Sequence, residues 1–405
     1  MKLLRLTKLN SYCLKKFYLK HEGLSDKSYE EQRSILDHNA FEWSDYWSQS
    51  LKPFGYEAVD VISNVDPLQR AWAKENMPSE ASSMPLDDIA LAQVKKFAPE
   101  IIWFEDNSEQ FLKRIRSEIR SIRLVLGWVG SAIPRTKIWS LMDLVFSCAQ
   151  ESVDTLQKAG YPALQLHHGF DPRINGRLTW REKRIGLSFV GQLIRTEQFH
   201  LHRDQLLEKL ASNLEISIFS PSAYFGWKET GTAIIMRICY DFFKAMKLAG
   251  FPEKVLERVP IIGEAAKWPF RPVLPVNPRL KPFMKPPVFG LEMFQALRDS
   301  DMTLNIHADS SPHYASNMRL FEATGVGTCL ITDWKKNLHQ LFEPDKEVVA
   351  YQSADECVEK VKWLRDHQKE REEIGLAGQK RTLEDHTFAR RAEQLHDVIR
   401  ERLTK

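Results

Sequence analysis

The stretch from Leu304 to Asp333, LNIHADSSPHYASNMRLFEATGVGTCLITD, concentrates the residue types that handle an anionic ligand. It reads as a strand, a polar loop, a helix opening near Ser316 or Asn317, a turn at Gly325 and Gly327, and a second strand. A Ser or Asn cap leaves backbone N–H groups free at the positive end of a helix, and such an end attracts phosphate. Arg319, in the first turn, is placed to add a charge-assisted hydrogen bond to a phosphate oxygen. Glu322 lies one turn deeper, where a carboxylate accepts two neighbouring hydroxyls such as a ribose presents. Phosphate at the helix mouth and ribose one turn in is a nucleoside-diphosphate geometry. The same spacing also suits a simple Arg–Glu pair within the helix.

Other residues are placed to join such a site. Gly191 ends the apolar run Ile185–Val190 and lets backbone approach phosphate, with Arg195 in the following loop the favoured diphosphate cation and His202 or Arg203 further along. Gly290, in the turn Phe289–Met293, reads from its residues as an ordinary αβ loop. His307, Asp309 and Tyr314, in the polar loop, are candidates for contact with a ligand at the helix mouth or for holding their own loop together. In the first half, His167 and His168 follow the run Ala163–Leu166, and Glu105 and Asp106 follow Glu100–Phe104. Each pair offers a general base, against a structural histidine or a helix-capping acid. Trp128, in Gly127–Gly130 after Ile122–Leu126, sits at a loop that shapes a ligand pocket or belongs to the core.

These side chains need strands to hold them. Short aliphatic runs recur between helix-period stretches: Ala58–Ile62, Glu100–Phe104, Ile122–Leu126, Leu144–Ser147 and Ala163–Leu166, then Ile185–Val190, Glu215–Phe219, Met302–Ile306, Thr328–Thr332 and Val348–Tyr351. Runs of this kind predict buried parallel strands in two doubly wound α/β sheets. The Pro, Gly and charge-rich stretch Gly169–Arg184 marks a boundary. The expected division is a first lobe over 1–180, a second over 181–380 and a closing amphipathic helix over 381–405, whose pattern begins near Ala377. The segment Lys267–Phe289 has seven prolines, five basic residues and no acid. It predicts an ordered loop or extended arm, with a basic aromatic surface for an anionic acceptor or lipid headgroup as its functional reading.

Composition narrows the function classes. The chain has 405 residues, 43% hydrophobic and 27% charged, with net charge +3, values of a folded protein without general affinity for nucleic acid. Five widely spaced cysteines read as reduced thiols, which suggests a cytoplasmic protein. The apolar stretch near Thr232–Met246 is interrupted by Arg237, Asp241 and Lys244, so it does not predict a membrane span. No paired-carboxylate metal motif stands between the runs.

Asn317, Arg319, Phe321, Glu322, Gly325 and Gly327, followed by Leu330–Asp333, resemble the donor-binding signature of the CgeB-like (spore-maturation-protein) glycosyltransferases, related to the glycosyl-transferase group 1 enzymes. Leu341–Phe342, Lys346–Tyr351, Ala377–Gly378 and the element His386–Thr387–Phe388 extend the likeness over roughly 289–395. The resemblance implies a GT-B fold, two Rossmann-like domains facing a cleft, with a final helix crossing back to the first. It implies a hexosyltransferase-type enzyme. The donor is a nucleotide-diphosphate sugar, bound by Gly191, Arg195, Gly290, His307, Tyr314, Ser316, Asn317, Arg319, Glu322 and Gly325. The acceptor is a glycan, a lipid-linked molecule or another compound in polysaccharide assembly. No metal cofactor is expected, and peripheral contact with the inner face of the membrane would run through 267–289. One position departs: where group 1 retaining enzymes carry an earlier glutamate, this chain has Tyr314. A nucleotide-sugar 2-epimerase and a non-catalytic nucleotide-sugar-binding protein share the architecture and stand as alternatives.

Overall fold

The computed structural model describes residues 1–130, 132–195, 201–260, 262–307 and 311–404. Its first sheet contains β1 (Lys2–Thr7), β2 (Glu57–Ile62), β3 (Ile101–Phe104), β4 (Leu124–Val129), β5 (Leu144–Ser147) and β6 (Ala163–Gln165). All pair in parallel, in the order β2-β1-β3-β4-β5-β6. Helices cover both faces, so β3 and β5 are buried along their whole length. β1 is not among the runs expected from sequence, because Arg5 interrupts its apolar pattern. Arg5 is buried there because its Nε donates to Asp60 Oδ1 on β2 (2.6 Å) and its Nη2 to the Ser44 carbonyl (2.9 Å). An interior guanidinium is tolerated only when paired in this way.

The second sheet contains β7 (Ile185–Val190), β8 (Ser217–Phe219), β9 (Met284–Lys285), β10 (Ser300–Asn305), β11 (Cys329–Asp333) and β12 (Val349–Tyr351). Its order is β12-β11-β10-β7-β8-β9, again parallel throughout. The proline-rich arm ends in β9, a two-residue strand at the sheet edge, where the missing N–H of neighbouring prolines costs no ladder bond. Between β8 and β9 the chain makes an excursion built on the helix Trp227–Leu248, with its own small core of Phe243, Leu256, Ala265 and Ala266.

The terminal helix expected from Ala377 to the end is in fact two, Gln368–Asp385 and Phe388–Thr404. The break falls where the chain meets the interdomain connection. Phe170 N donates to the His386 carbonyl (2.8 Å) and Phe388 N to the Phe170 carbonyl (3.0 Å). Beyond this strap the last helix crosses to the first lobe, where the Phe388 ring lies 5.2 Å from Trp47 and Tyr56 Oη is 3.1 Å from His396 Nδ1. Arg391 fixes the corner by donating from Nε to the His168 carbonyl (3.0 Å) and from Nη2 to His386 Nδ1 (2.9 Å). His386 in turn donates from Nε2 to the Leu341 carbonyl (2.7 Å). Burial, with Arg391 adding to it, lowers the His386 pKa to about 4, so this ring is neutral.

Strand order reverses beside β1 and β3 in the first sheet and beside β7 and β10 in the second. Open α/β sheets bind ligands beyond the carboxyl ends of their strands at these switch points. Here the two points open onto one cleft.

The lobes also meet at Gly290, which has φ +55°, and a Cβ there would lie 2.2 Å from the Asn39 carbonyl oxygen. Gly290→Ala is expected to lower stability by about 2 kcal/mol or more in urea unfolding. Gly176→Ala, where a Cβ meets nothing within 4 Å, should change it by less than about 0.5 kcal/mol.

Candidate active site in the interdomain cleft

The cleft encloses a cavity of about 710 Å³. From the second lobe come Gly191 and Gln192 after β7, Asn305 and Ile306 at the end of β10, Arg203, and Ser316, Asn317, Met318 and Arg319. From the first come Arg5, Thr7 and Lys8 at the end of β1, Glu105 after β3, and Glu42, Trp43, Trp128 and His168.

On the second-lobe wall, Arg203 lines the cavity beside the Gly191 turn, and the favoured Arg195 does not. Arg203 donates to the Gln192 carbonyl (2.8 Å) and the Ile306 carbonyl (2.7 Å), with its guanidinium 5.7 Å from the Phe189 ring centre. Arg195 is drawn off instead by the Leu274 carbonyl (2.8 Å) and Asp204 (3.3 Å). The helix after the polar loop runs Arg319–Gly325, and neither Ser316 nor Asn317 caps it; the capping position is Met318, without a side-chain bond. Asn317 points back to β10, donating to Asn305 Oδ1 (2.9 Å) and the Ile306 carbonyl (3.1 Å), which holds the loop against the strand. Arg319 forms the intrahelical pair, Nη1 to Glu322 Oε2 at 2.6 Å. Burial raises the Glu322 pKa, Arg319 opposing.

Several expected donor residues lie elsewhere. Gly290 packs on Asn39, and Gly325 lies under the Phe170 ring, where a Cβ would approach to 2.4 Å. Both are interdomain packing positions, because only a bare backbone fits between the lobes there. His307 turns into a separate cavity with Asp333, Lys335 and Tyr351. Its Nδ1 lies 2.6 Å from Asp333 Oδ1. Against the upward push of burial, His307 and Lys335 hold the Asp333 carboxyl well below its ordinary range. Asp309 lies outside the described residues. Tyr314 belongs to a loop that docks across the cleft: Ser311 Oγ (3.1 Å), His313 N (2.9 Å) and Tyr314 N (3.1 Å) all donate to the Glu151 carboxylate of the first lobe. Sequence reasoning missed Glu151, because a carboxylate in the first turn of the helix Gln150–Lys158 looks like routine dipole compensation.

Of the four base candidates, Glu105 and His168 line the cavity, whereas His167 and Asp106 are not among its lining residues. Asp106 is bound by Lys8 Nζ (2.6 Å) and Ser108 N (3.2 Å). Burial lowers the pKa of both histidines to about 3. Burial raises Glu105 to about 6, although Arg5 Nη1 at 3.8 Å opposes it. Trp43, Trp128 and His168 form an aromatic cluster beside Glu105, with Trp43 and Trp128 ring centres 4.7 Å apart. Trp43 Nε1, His168 Nδ1 and Glu105 Oε1 are buried with no hydrogen-bond partner among the described residues. Glu42 and Trp43 went unread in the sequence. Their loop is unusual in backbone, with Ala40, Glu42 and Ser44 all at positive φ, and such strain gathers at functional sites. Glu42 itself is exposed, and its Oε1 accepts from Asn10 N (3.1 Å).

Residues 203–397, just under half of the chain, match the family model Glyco_trans_1_2, described as glycosyl transferase-like. The whole chain superimposes on an alpha-glucosyltransferase in complex with UDP-glucose and DNA containing an abasic site (TM-score 0.56, 12% identity, 100% of both chains). It also superimposes on HepE of Anabaena in complex with UDP (0.54, 12%, 99% of this chain and 100% of that one) and on sucrose-phosphate synthase of Thermosynechococcus elongatus (0.52, 10%, 99% of each). No curated protein matches the sequence. The chain thus has the GT-B glycosyltransferase fold, with a second lobe of glycosyl transferase-like sequence. The CgeB-like subtype is not singled out by these matches.

The Glu105 carboxyl is expected to titrate near pH 6 in carbon-13 difference spectra between the native chain and Glu105→Gln. Arg5→Met should move the midpoint higher, because the cation that favours the charged form is gone. A midpoint at the ordinary value of about 4.3 would contradict its burial.

Proposed function

We propose that the protein transfers a glycosyl group from a nucleoside-diphosphate sugar to an acceptor hydroxyl. The observation that carries this reading is the convergence of two Rossmann-like switch points on one cavity, with Arg203, Arg319 and the Gly191 turn on one wall and Trp43, Trp128, Glu42 and Glu105 on the other. The diphosphate lies along the Gly191 turn, Arg203 and Ser316–Arg319. Arg319 swings from Glu322 to a phosphate oxygen, and Glu322 then accepts the ribose hydroxyls. The bond from the sugar's anomeric carbon to the diphosphate oxygen breaks, a bond from that carbon to the acceptor oxygen forms, and the nucleoside diphosphate leaves. Its charge is met by preorganised cations and N–H groups without a metal ion.

The acceptor occupies the first-lobe wall, where Trp43 and Trp128 offer flat apolar faces and Glu42, Glu105 and His168 offer partners for hydroxyls. That chemistry suits a glycan or the sugar of a lipid-linked acceptor. If configuration inverts, Glu105 takes the acceptor proton, since His168 is too weak a base near neutrality and Asp106 is bound by Lys8. If configuration is retained, a departing diphosphate oxygen takes it.

UDP-glucose is the first donor to test, because structures of HepE and of the alpha-glucosyltransferase hold it. In calorimetry across UDP-, GDP-, dTDP- and CMP-sugars, the native chain should bind one class, and Glu322→Ala should weaken it about 10- to 100-fold. Binding that is absent, or unchanged by Glu322→Ala, would contradict the donor site. With an acceptor in hand and configuration inverting, kcat/KM should rise about tenfold per pH unit up to about pH 6 and then level. The base must be unprotonated to act, so activity is lost below that pH, and Glu105→Gln should abolish the rising limb.

A further inference from the structure

The helix Trp227–Leu248 is anchored on one side only. Ala233 and Phe243 are buried, and Cys239 and Met246 pack on Leu256, Ala265 and Ala266. The opposite side is bare: Trp227 is 80% exposed, Ile234 46%, Ile238 62% and Phe242 51%, with Ile235 and Leu248 beside them. At 100° per residue, Trp227, Ile234, Ile238 and Phe242 fall on one stripe. Exposure of a contiguous apolar stripe on this scale marks an interaction surface.

We propose that this stripe lies on an anionic lipid surface. Charge selects that occupant. Residues 220–283, the excursion that carries the helix, hold ten Lys and Arg against five Asp and Glu, while the whole chain is only +3. The remainder of the chain is therefore slightly acidic, and the apolar stripe and the positive charge coincide. Arg237 and Lys244 flank the stripe along the helix. An amphipathic helix with aromatic and aliphatic residues on one face and cations beside it enters the headgroup boundary while its charges meet anionic lipid. A second copy docking through the same face would bring these cations against their own kind. Among the described residues no helix is long and apolar enough to cross a membrane, so this one lies in the plane.

The contact thereby moves away from the proline-rich segment 267–289 in which it was expected. Several cations there are already held within the protein: Arg271 by Asp241, Lys267 by Glu257 and Glu264, and Arg279 by Glu208. The stripe lies outside the cleft, so this inference stands apart from the donor reading.

Co-sedimentation of the full chain with phosphatidylcholine vesicles, with and without phosphatidylglycerol, tests it. The native chain should sediment with the anionic vesicles only, less so as salt rises. Ile238→Glu/Phe242→Glu and, separately, Arg237→Glu/Lys244→Glu should each weaken this by about tenfold or more. Unfolding temperature and the circular dichroism spectrum serve as controls for an intact fold, and Ile234→Ser provides a milder change in the same stripe. The inference is overturned if the native chain ignores anionic vesicles, or if neither Ile234→Ser nor the double glutamate variant alters binding. It is equally overturned if the native chain instead forms dimers that the double glutamate variant dissociates, which would make the stripe an interface between copies.

Discussion

The architecture depends on a short backbone pairing, the two hydrogen bonds between Phe170 and the His386–Phe388 turn. Phe170 lies on the connection between the lobes, and its ring packs on Gly325 in the helix that carries Arg319 and Glu322. His386–Phe388 ends one helix of the second lobe and starts the helix that returns to the first. A Cβ at Gly169 would come within 2.8 Å of the Phe388 backbone nitrogen, so the strands of chain approach as closely as bare backbone allows. Arg391 and His386 satisfy the His168 and Leu341 carbonyls at this crossing, where an orphaned carbonyl would be costly. Through this one crossing the position of each wall of the cleft is tied to the other.

Given that alignment, topology supplies the site. Each sheet reverses its strand order once beside its first strand, and the loops at those points carry the polar groups. The walls differ in character. One presents Arg203, Arg319 and a glycine turn, suited to phosphate. The other presents Trp43 and Trp128 with Glu42 and with Glu105, whose enclosed carboxyl has a raised pKa. Glu151 links the walls by accepting from the loop Ser311–Tyr314, so the distance between the lobes is also set at the rim of the cleft.

Much of this was legible in the sequence. Apolar runs located ten of the twelve strands among the described residues because buried parallel strands leave a strong continuous signal. β1 was lost because one buried ion pair, Arg5 with Asp60, breaks that signal, and β9 because two residues leave almost none. The wall built from consecutive residues, Ser316 to Glu322, could be read; what the motif could not show was that Asn317 braces β10 and does not cap the helix. Gly290 and Gly325 carried a real demand for glycine, but close packing between lobes explains it. Glu42, Trp43 and Glu151 come together only through tertiary folding, so no local pattern announced them. The choice between Arg195 and Arg203 turned on which partners each meets in space, Leu274 and Asp204 for one and the ends of β7 and β10 for the other.

A crystal structure of the chain soaked with UDP tests the central claim most directly. The account predicts the diphosphate beside Gly191, Arg203 and Ser316–Arg319, with Arg319 released from Glu322 and the ribose hydroxyls on that carboxylate. Nucleotide in the cavity of His307, Asp333 and Lys335, or against Trp43 and Glu105, would contradict it.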